Sequence, residues 1–259
     1  MIPLPDQDWW KTLFDEIYLA TDARSICNDA VTRKEVDAIC KLAPLHRSQQ
    51  ILDLCGGHGR HSIELCKRGY EYCCVYDYSI SLLQVGEKNA AQLSSPPRFV
   101  QGDARDIQLA SDTFHHVLIL GNSLGYITKG NADRKILSEG YRVLKTGGWI
   151  VVDVTDGSWV RQHLPPSAWH EVDDDFVVCR LREVCGDIVN AREMVMSKAN
   201  GLVRDRTYCM RIYEPRNLAA LLEDTGFSHI RIHTDFDASR PGEDRGCMDH
   251  RVMVTARKL

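Results

Sequence analysis

The chain lacks an excess of positive charge: 32 Lys and Arg stand against 36 Asp and Glu, for a formal net charge of −4. A protein that held nucleic acid by charge alone would be basic, so no nucleic-acid partner is expected. No apolar run approaches the ~20 residues of a membrane-spanning helix, Val117 to Leu120 being typical, and no membrane partner is expected. The opening residues, Met1 to Trp10, lack the basic and apolar regions of a signal peptide, which leads to the expectation of a cytoplasmic protein. Among ten cysteines there is no C-x-x-C pair, and Cys73 and Cys74 are adjacent. Neither a metal site nor a disulfide framework is expected, and the thiols read as small core residues. Internal repeats and low-complexity tracts are also missing. With 26% charged and 44% hydrophobic residues the composition excludes a disordered chain.

What is present is a chain of 259 residues, enough for one large domain or a domain with an insertion. From Ile51 to Leu144 short apolar runs alternate with amphipathic stretches, the pattern of a doubly wound, mostly parallel α/β sheet. Strands are expected at 50–54, 72–76, 98–101, 116–120 and 149–154, with helices at 59–68, 80–93 and 133–144. The sheet resumes with a helix at 216–225 and strands at 229–234 and 252–256, making seven strands in all. Between the halves, Phe176 to Tyr213 is rich in β-branched and aromatic residues around the turns Cys185-Gly186-Asp187 and Asn200-Gly201, and reads as a three-stranded antiparallel insertion. Upstream, Thr32-Arg33-Lys34-Glu35 has the form of a capping box ahead of a helix. Gln7 to Ala20 reads as an earlier aromatic helix. The expected division is an N-terminal helical lid (1–45), a core (46–165 and 214–259) and an antiparallel insertion (166–213).

The stretch Asp53-Leu54-Cys55-Gly56-Gly57-His58-Gly59-Arg60 joins a buried strand to a helix. Glycines there let a backbone approach a ligand, and the helix start offers unpaired N–H groups. A dinucleotide site would require G-x-G-x-x-G, but the third position is Ser62, and Asp53 would repel a pyrophosphate while welcoming a cation. That disfavours an NAD-dependent oxidoreductase. Asp77 follows the second strand, 20 residues beyond Gly57, where a carboxylate can accept from two ribose hydroxyls. Asp103 follows the third. Three carboxylates thus stand at C-terminal strand ends, where open α/β sheets place their ligands.

These residues resemble the class I S-adenosylmethionine-dependent methyltransferases. Five features match in order: Ile51 to Gly59, Asp77, Gly102-Asp103-Ala104, Ile119 to Ser123, and Leu144 to Gly148. One departure is Cys55, which replaces the family's first loop glycine. The resemblance implies a Rossmann-like methyltransferase fold and S-adenosyl-L-methionine as cofactor, with S-adenosyl-L-homocysteine as product. It assigns the methionine part to Asp53, Cys55, Gly57 and Gly59, the ribose to Asp77 with Tyr78 beside it, the adenine amino group to Asp103 with Ala104 beside it, and the methionine amine to the Gly121 region. The segment Leu120 to Tyr126 lacks the Pro-Pro-aromatic signature of enzymes that methylate exocyclic amines of DNA bases, and no Pro-Cys nucleophile follows the fourth strand. A small-molecule acceptor is therefore expected, with nitrogen favoured over oxygen, in a monomer or homodimer.

The opening helix is similar to that of a subgroup methylating amines and natural products, glycine N-methyltransferase-like enzymes among them, in which N-terminal aromatics close over the cofactor. That similarity points to Trp10 and Tyr18, whose rings suit a sulfonium. Candidate catalytic residues by location are Asn122, Tyr126 and His163, with His170 of interest for a phenol or alcohol. An amine acceptor needs a neutral lone pair and an orienting polar group rather than a strong base. Two other readings stay open: O-methylation of a phenol, alcohol or carboxylate, and a cofactor-binding module without activity. A protein or RNA methyltransferase is a further alternative.

Overall fold

In the computed structural model, residues 2–21, 28–234, 246–248 and 250–259 are described. A seven-stranded sheet forms the centre, built from β1 (Ile51–Leu54), β2 (Cys73–Asp77), β3 (Arg98–Gln101), β4 (Phe114–Ile119), β5 (Leu144–Thr155), β10 (Ser228–His233) and β11 (Arg251–Arg257). Its order is β10-β11-β5-β4-β1-β2-β3. The β1–β2, β2–β3, β1–β4 and β4–β5 pairs are parallel, whereas β11 runs antiparallel to both β5 and β10. The chain winds outward from β1 in one direction through β2 and β3, then in the other through β4 and β5. The crevice beyond the strand ends between β1 and β4 is where such a sheet receives a ligand.

Strand alternation divides the core. Leu52 and Leu54 of β1 join Ile150, Val152 and Val154 of β5 under α6 (Ala132–Val143) and α8 (Pro215–Glu223). Ile51, Leu118 and Val151 pack on the other face against α3 (Asp29–Leu42) and α4 (Arg60–Lys67). With period two, Asp53 and Asp153 fall on that second face, and both are almost fully buried there. α5 (Ile80–Ala90) crosses between β2 and β3, capped by Ser79, whose side chain accepts from the Leu82 amide.

The expected seven-stranded sheet is present, and four features around it differ from the sequence reading. The aromatic helix at 7–20 is two short helices, α1 (Trp10–Leu13) and α2 (Glu16–Thr21). The break follows from Asp15, whose carboxylate accepts from the Tyr18 amide as a cap and pairs with Arg204. The capping box at Thr32 is not used. Asn28 caps α3 four residues earlier, the Thr32 hydroxyl donates to the Asn28 carbonyl, and Glu35 is buried and paired with Arg60 and Arg251. The insertion has four strands rather than three: β6 (Ser167–Val172), β7 (Phe176–Cys185), β8 (Ile188–Ser197) and β9 (Gly201–Arg211), in that order and all antiparallel. β5 also begins earlier than expected, because Leu144 pairs with Phe114 before the Gly147-Gly148 irregularity. The helix α7 (Gly157–His163) leads from β5 into the insertion.

The four-stranded sheet is fastened to the core at its β9 end. The Arg211 amide donates to the Gly125 carbonyl, and the Gly157 amide to the Tyr213 carbonyl, at 2.8 Å each. Beneath them the Tyr213 hydroxyl donates to buried Asp133 at 2.5 Å. Asp133 also accepts from the Gly125 amide. The loop after β4 is thereby held between core and insertion.

Candidate active site

A cavity opens over the C-terminal ends of β1, β2 and β4, with the N-terminal helices on one side and the inner face of the four-stranded sheet above. The loop after β1 shapes its floor. Cys55 has φ of 59°, a left-handed conformation that favours glycine, so the departure at this position leaves the loop geometry of a glycine in place. Its amide donates to the Tyr76 carbonyl and its own carbonyl accepts from the Ser123 hydroxyl, which joins the loops after β1 and β4. Burial, with the nearby Asp77 and Asp53 carboxylates, pushes the Cys55 thiol well above its usual range, so it is not a reactive thiolate.

Asp53 accepts from the Ser62 hydroxyl at 2.9 Å through Oδ2, while Oδ1 is buried and has no hydrogen-bond partner among the described residues. Ser62 thus stands where a dinucleotide site needs glycine because it serves the carboxylate. Asp77 accepts from the amides of Gly57 and Ser79 at 2.8 Å each, and burial pushes its carboxyl up to about 6. Asp103 reaches the cavity wall, but both its oxygens accept from the Arg105 guanidinium, which holds its carboxyl below the usual range. That guanidinium lies 5.0 Å over the Trp10 ring, and Trp10 meets Tyr78 edge-on at 4.7 Å. Gly102 has no room for a side chain, since a Cβ there would come within 1.9 Å of the Tyr76 hydroxyl.

Trp10, Tyr18, Asp53, Cys55, Gly57, Asp77, Tyr78, Asp103, Ala104 and Gly121 all border the cavity, as do Asn122 and Tyr126. Gly59 does not. It sits under the loop with φ of 71°, and a Cβ would strike Phe99 and Val75 at 2.9 Å, so it allows α4 to close on the sheet. His163 is a second correction. It is exposed at the end of α7, stacks on Trp159 at 4.9 Å, and is not among the cavity residues. A His163→Ala variant is therefore expected to keep wild-type turnover across the pH profile, as steady-state assays would read. Asn122 is nearly fully buried, and its Oδ1 accepts from the Thr155 amide while Nδ2 donates to Met210 Sδ. It positions the loop, and its polar atoms are committed to protein partners.

The N-terminal aromatics pack on the core, and Trp10, Phe14 and Tyr18 also border the cavity. Trp9 packs on Tyr126 and Tyr208, each at 5.7 Å, and Phe14 on Tyr126 at 5.2 Å. The Ser79 hydroxyl donates to the Phe14 carbonyl, and Arg204 donates to the Leu13 carbonyl.

Sequence reasoning missed the charge network behind the floor. Glu35 of α3 pairs with Arg60, His61 and Arg251, and Arg251 with Asp153, all nearly fully buried. Asp153 also accepts from the Gly121 amide at 2.9 Å. Burial alone would raise the Glu35 carboxyl, but Arg60 and Arg251 hold it well below its usual range. No local spacing signals this, because Glu35 and Arg251 are 216 residues apart. The roof residues His170, Arg180, Arg182, Tyr208 and Met210 are likewise set by the insertion's register.

Residues 51–148 match the model of a family described as a methyltransferase domain. The glycine/sarcosine N-methyltransferase of Aphanothece halophytica is 26% identical over 253 residues, covering 94% of this chain and 90% of that protein. The demethylmenaquinone methyltransferase of Streptomyces avermitilis is 34% identical over 145 residues, 54% of this chain and 58% of that one. The structure of the CcbJ methyltransferase from Streptomyces caelestis shares the fold, with a TM-score of 0.76 at 18% identity, covering 98% of this chain and 99% of that one. No described helix is long and apolar enough to cross a membrane.

Proposed function

We propose that the chain is an S-adenosylmethionine-dependent methyltransferase that transfers the methyl group to nitrogen of a free small molecule. The observation that carries nitrogen is coverage: the match to the N-methyltransferase relative extends over 94% of this chain, well beyond the cofactor-binding half, whereas that to the demethylmenaquinone methyltransferase extends over about half.

The residues fit the cofactor. Its sulfonium supplies an electrophilic methyl group and its ammonium a second positive charge. The orphaned Oδ1 of Asp53 offers an acceptor on the cavity floor, and Asp77 presents a carboxylate at the ribose end. The rings of Trp10 and Tyr78, with Arg105 beyond them, suit the flat face of an adenine. Tyr126, Phe14 and Tyr208 exclude water from the acceptor side and offer ring faces to positive charge. The protein then acts by alignment: it holds an uncharged amine in line with the methyl carbon in a closed space, where the N–C bond forms as the C–S bond breaks, positive charge passes from sulfur to nitrogen, and the methylated nitrogen then releases a proton to water.

A second reading, O-methylation, is favoured by one observation: His170 lines the roof, where an imidazole can take a hydroxyl proton. The test is methyl transfer to matched acceptors that present an amine, a phenol or an activated ring carbon on the same skeleton. Mass spectrometry is expected to find the label on the amine nitrogen. A phenolic product abolished by His170→Ala would replace nitrogen with oxygen, and a carbon product would overturn both.

A further inference from the structure

The cavity floor carries Asp53, Asp77 and Asp103, together with Arg60, which pairs with Glu35 behind the loop, and the roof carries Arg180 and Arg182 on β7. Positions 180 and 182 share one side of that strand by alternation, so both guanidiniums reach the inner face. Their charges are treated differently. Arg180 is neutralised by fully buried Glu193, with Nε and Nη2 each 2.9 Å from Oε2. Arg204 on β9 shares Glu193 and also pairs with Asp15. Arg182 has no acidic partner among the described residues, and its Nη1 is buried without any hydrogen-bond partner.

A buried guanidinium nitrogen without an acceptor is costly unless a ligand completes it. The Arg182 backbone amide donates to the Pro166 carbonyl at 2.7 Å, which ties this position of β7 to the segment before β6. Floor carboxylates matched to a cationic donor, opposite a roof cation left open, describe a site for two molecules of opposite charge at their outer ends.

Resting on the reading of this cavity as the site of methyl transfer, we infer that the acceptor carries a carboxylate, bound by Arg182 in the roof. The carboxylate meets the guanidinium edge, which fits two oxygens in a plane, and the opposite end of the acceptor presents its nucleophile downward toward the donor. Arg182 is thus a specificity-determining residue for an amino-acid-like acceptor, separate from the groups that hold the cofactor.

The experiment uses the full-length protein loaded with S-adenosylhomocysteine. Calorimetry at one fixed pH measures binding of amino acids in parallel with their primary amides, across aliphatic and aromatic examples. The carboxylates are expected to bind at least tenfold more tightly than the amides. Arg182→Gln should remove that preference, Arg182→Lys should retain part of it, and neither should change the affinity for S-adenosylhomocysteine or lower the melting temperature. Equal binding of acid and amide, binding of neither, or a preference that survives Arg182→Gln overturns the carboxylate subsite. In each of those cases intact S-adenosylhomocysteine binding leaves the methyltransferase reading standing, and its loss in the wild type overturns both.

Discussion

A Glu35→Ala variant is expected to lose about 3–5 kcal/mol of folding stability, the cost of removing one member of a buried ion network and leaving the others uncompensated. Glu35 pairs with Arg60, and it shares Arg251 with Asp153. Its carboxyl is held below the usual range by Arg60 and Arg251 against the pull of burial. The sign of the pH effect follows: the contribution is full above the ordinary value of 4.5 and is lost as pH falls through the lower folded-state value. Denaturant unfolding of wild type and variant at neutral pH measures the loss. Asp37→Ala provides the contrast, because its pair with Arg68 is exposed and should contribute below about 1 kcal/mol. Equal, small losses in both variants would show that the buried network does not stabilise the fold. The network also supports the loop, since Arg251 and the Gly121 amide share Asp153.

Asp77→Ala should weaken S-adenosylhomocysteine binding by roughly a hundredfold or more. Two hydrogen bonds from ribose hydroxyls to a carboxylate contribute about 1.5–3 kcal/mol each, and each 1.4 kcal/mol is tenfold. The same carboxylate accepts from Gly57 and Ser79, so the variant also frees the loop. Because burial raises this carboxyl to about 6, the free protein holds Asp77 increasingly protonated below that pH. Cofactor affinity is expected to fall as pH drops through 6 in the wild type and to stay flat in Asp77→Asn. For folding the sign is opposite to that of Glu35: the contribution of Asp77 is greatest below the ordinary value of 3.8 and declines as pH rises through about 6. A wild-type affinity independent of pH between 5 and 7 would contradict the raised carboxyl, and an Asp77→Ala variant that binds S-adenosylhomocysteine as tightly as wild type in calorimetry would remove Asp77 from the ribose site.

The sheet was legible because β1, β4 and β5 are buried on both faces and carry nearly unbroken apolar runs, while glycines mark the turns between them. The carboxylates were legible for a related reason, since Asp53 and Asp77 lie at the C-terminal ends of β1 and β2 and Asp103 just past β3, and strand ends converge on one edge. β6 was missed because Ser167–Val172 alternates exposed and half-buried residues, with Trp169 largely in solvent, and lacks an apolar face of its own. The start of α3 was misplaced because Thr32 and Glu35 satisfy a local pattern whose side chains are claimed elsewhere, Thr32 by the Asn28 carbonyl and Arg60, Glu35 by Arg60 and Arg251. His163 looked close in sequence to the acceptor side, but α7 turns it outward onto Trp159. Residues that the insertion places overhead, Arg182 among them, depend on the register between β6 and β7, which no spacing along the chain encodes.

The most direct measurement is a calorimetric titration of the purified protein with S-adenosylhomocysteine, with NAD as the control. Saturable one-to-one binding of S-adenosylhomocysteine and none of NAD is the expected result, consistent with the orphaned Asp53 oxygen on the cavity floor and with Ser62 in place of a third glycine. Binding of NAD alone, or of neither ligand, would contradict the assignment of this cavity to a methyl donor.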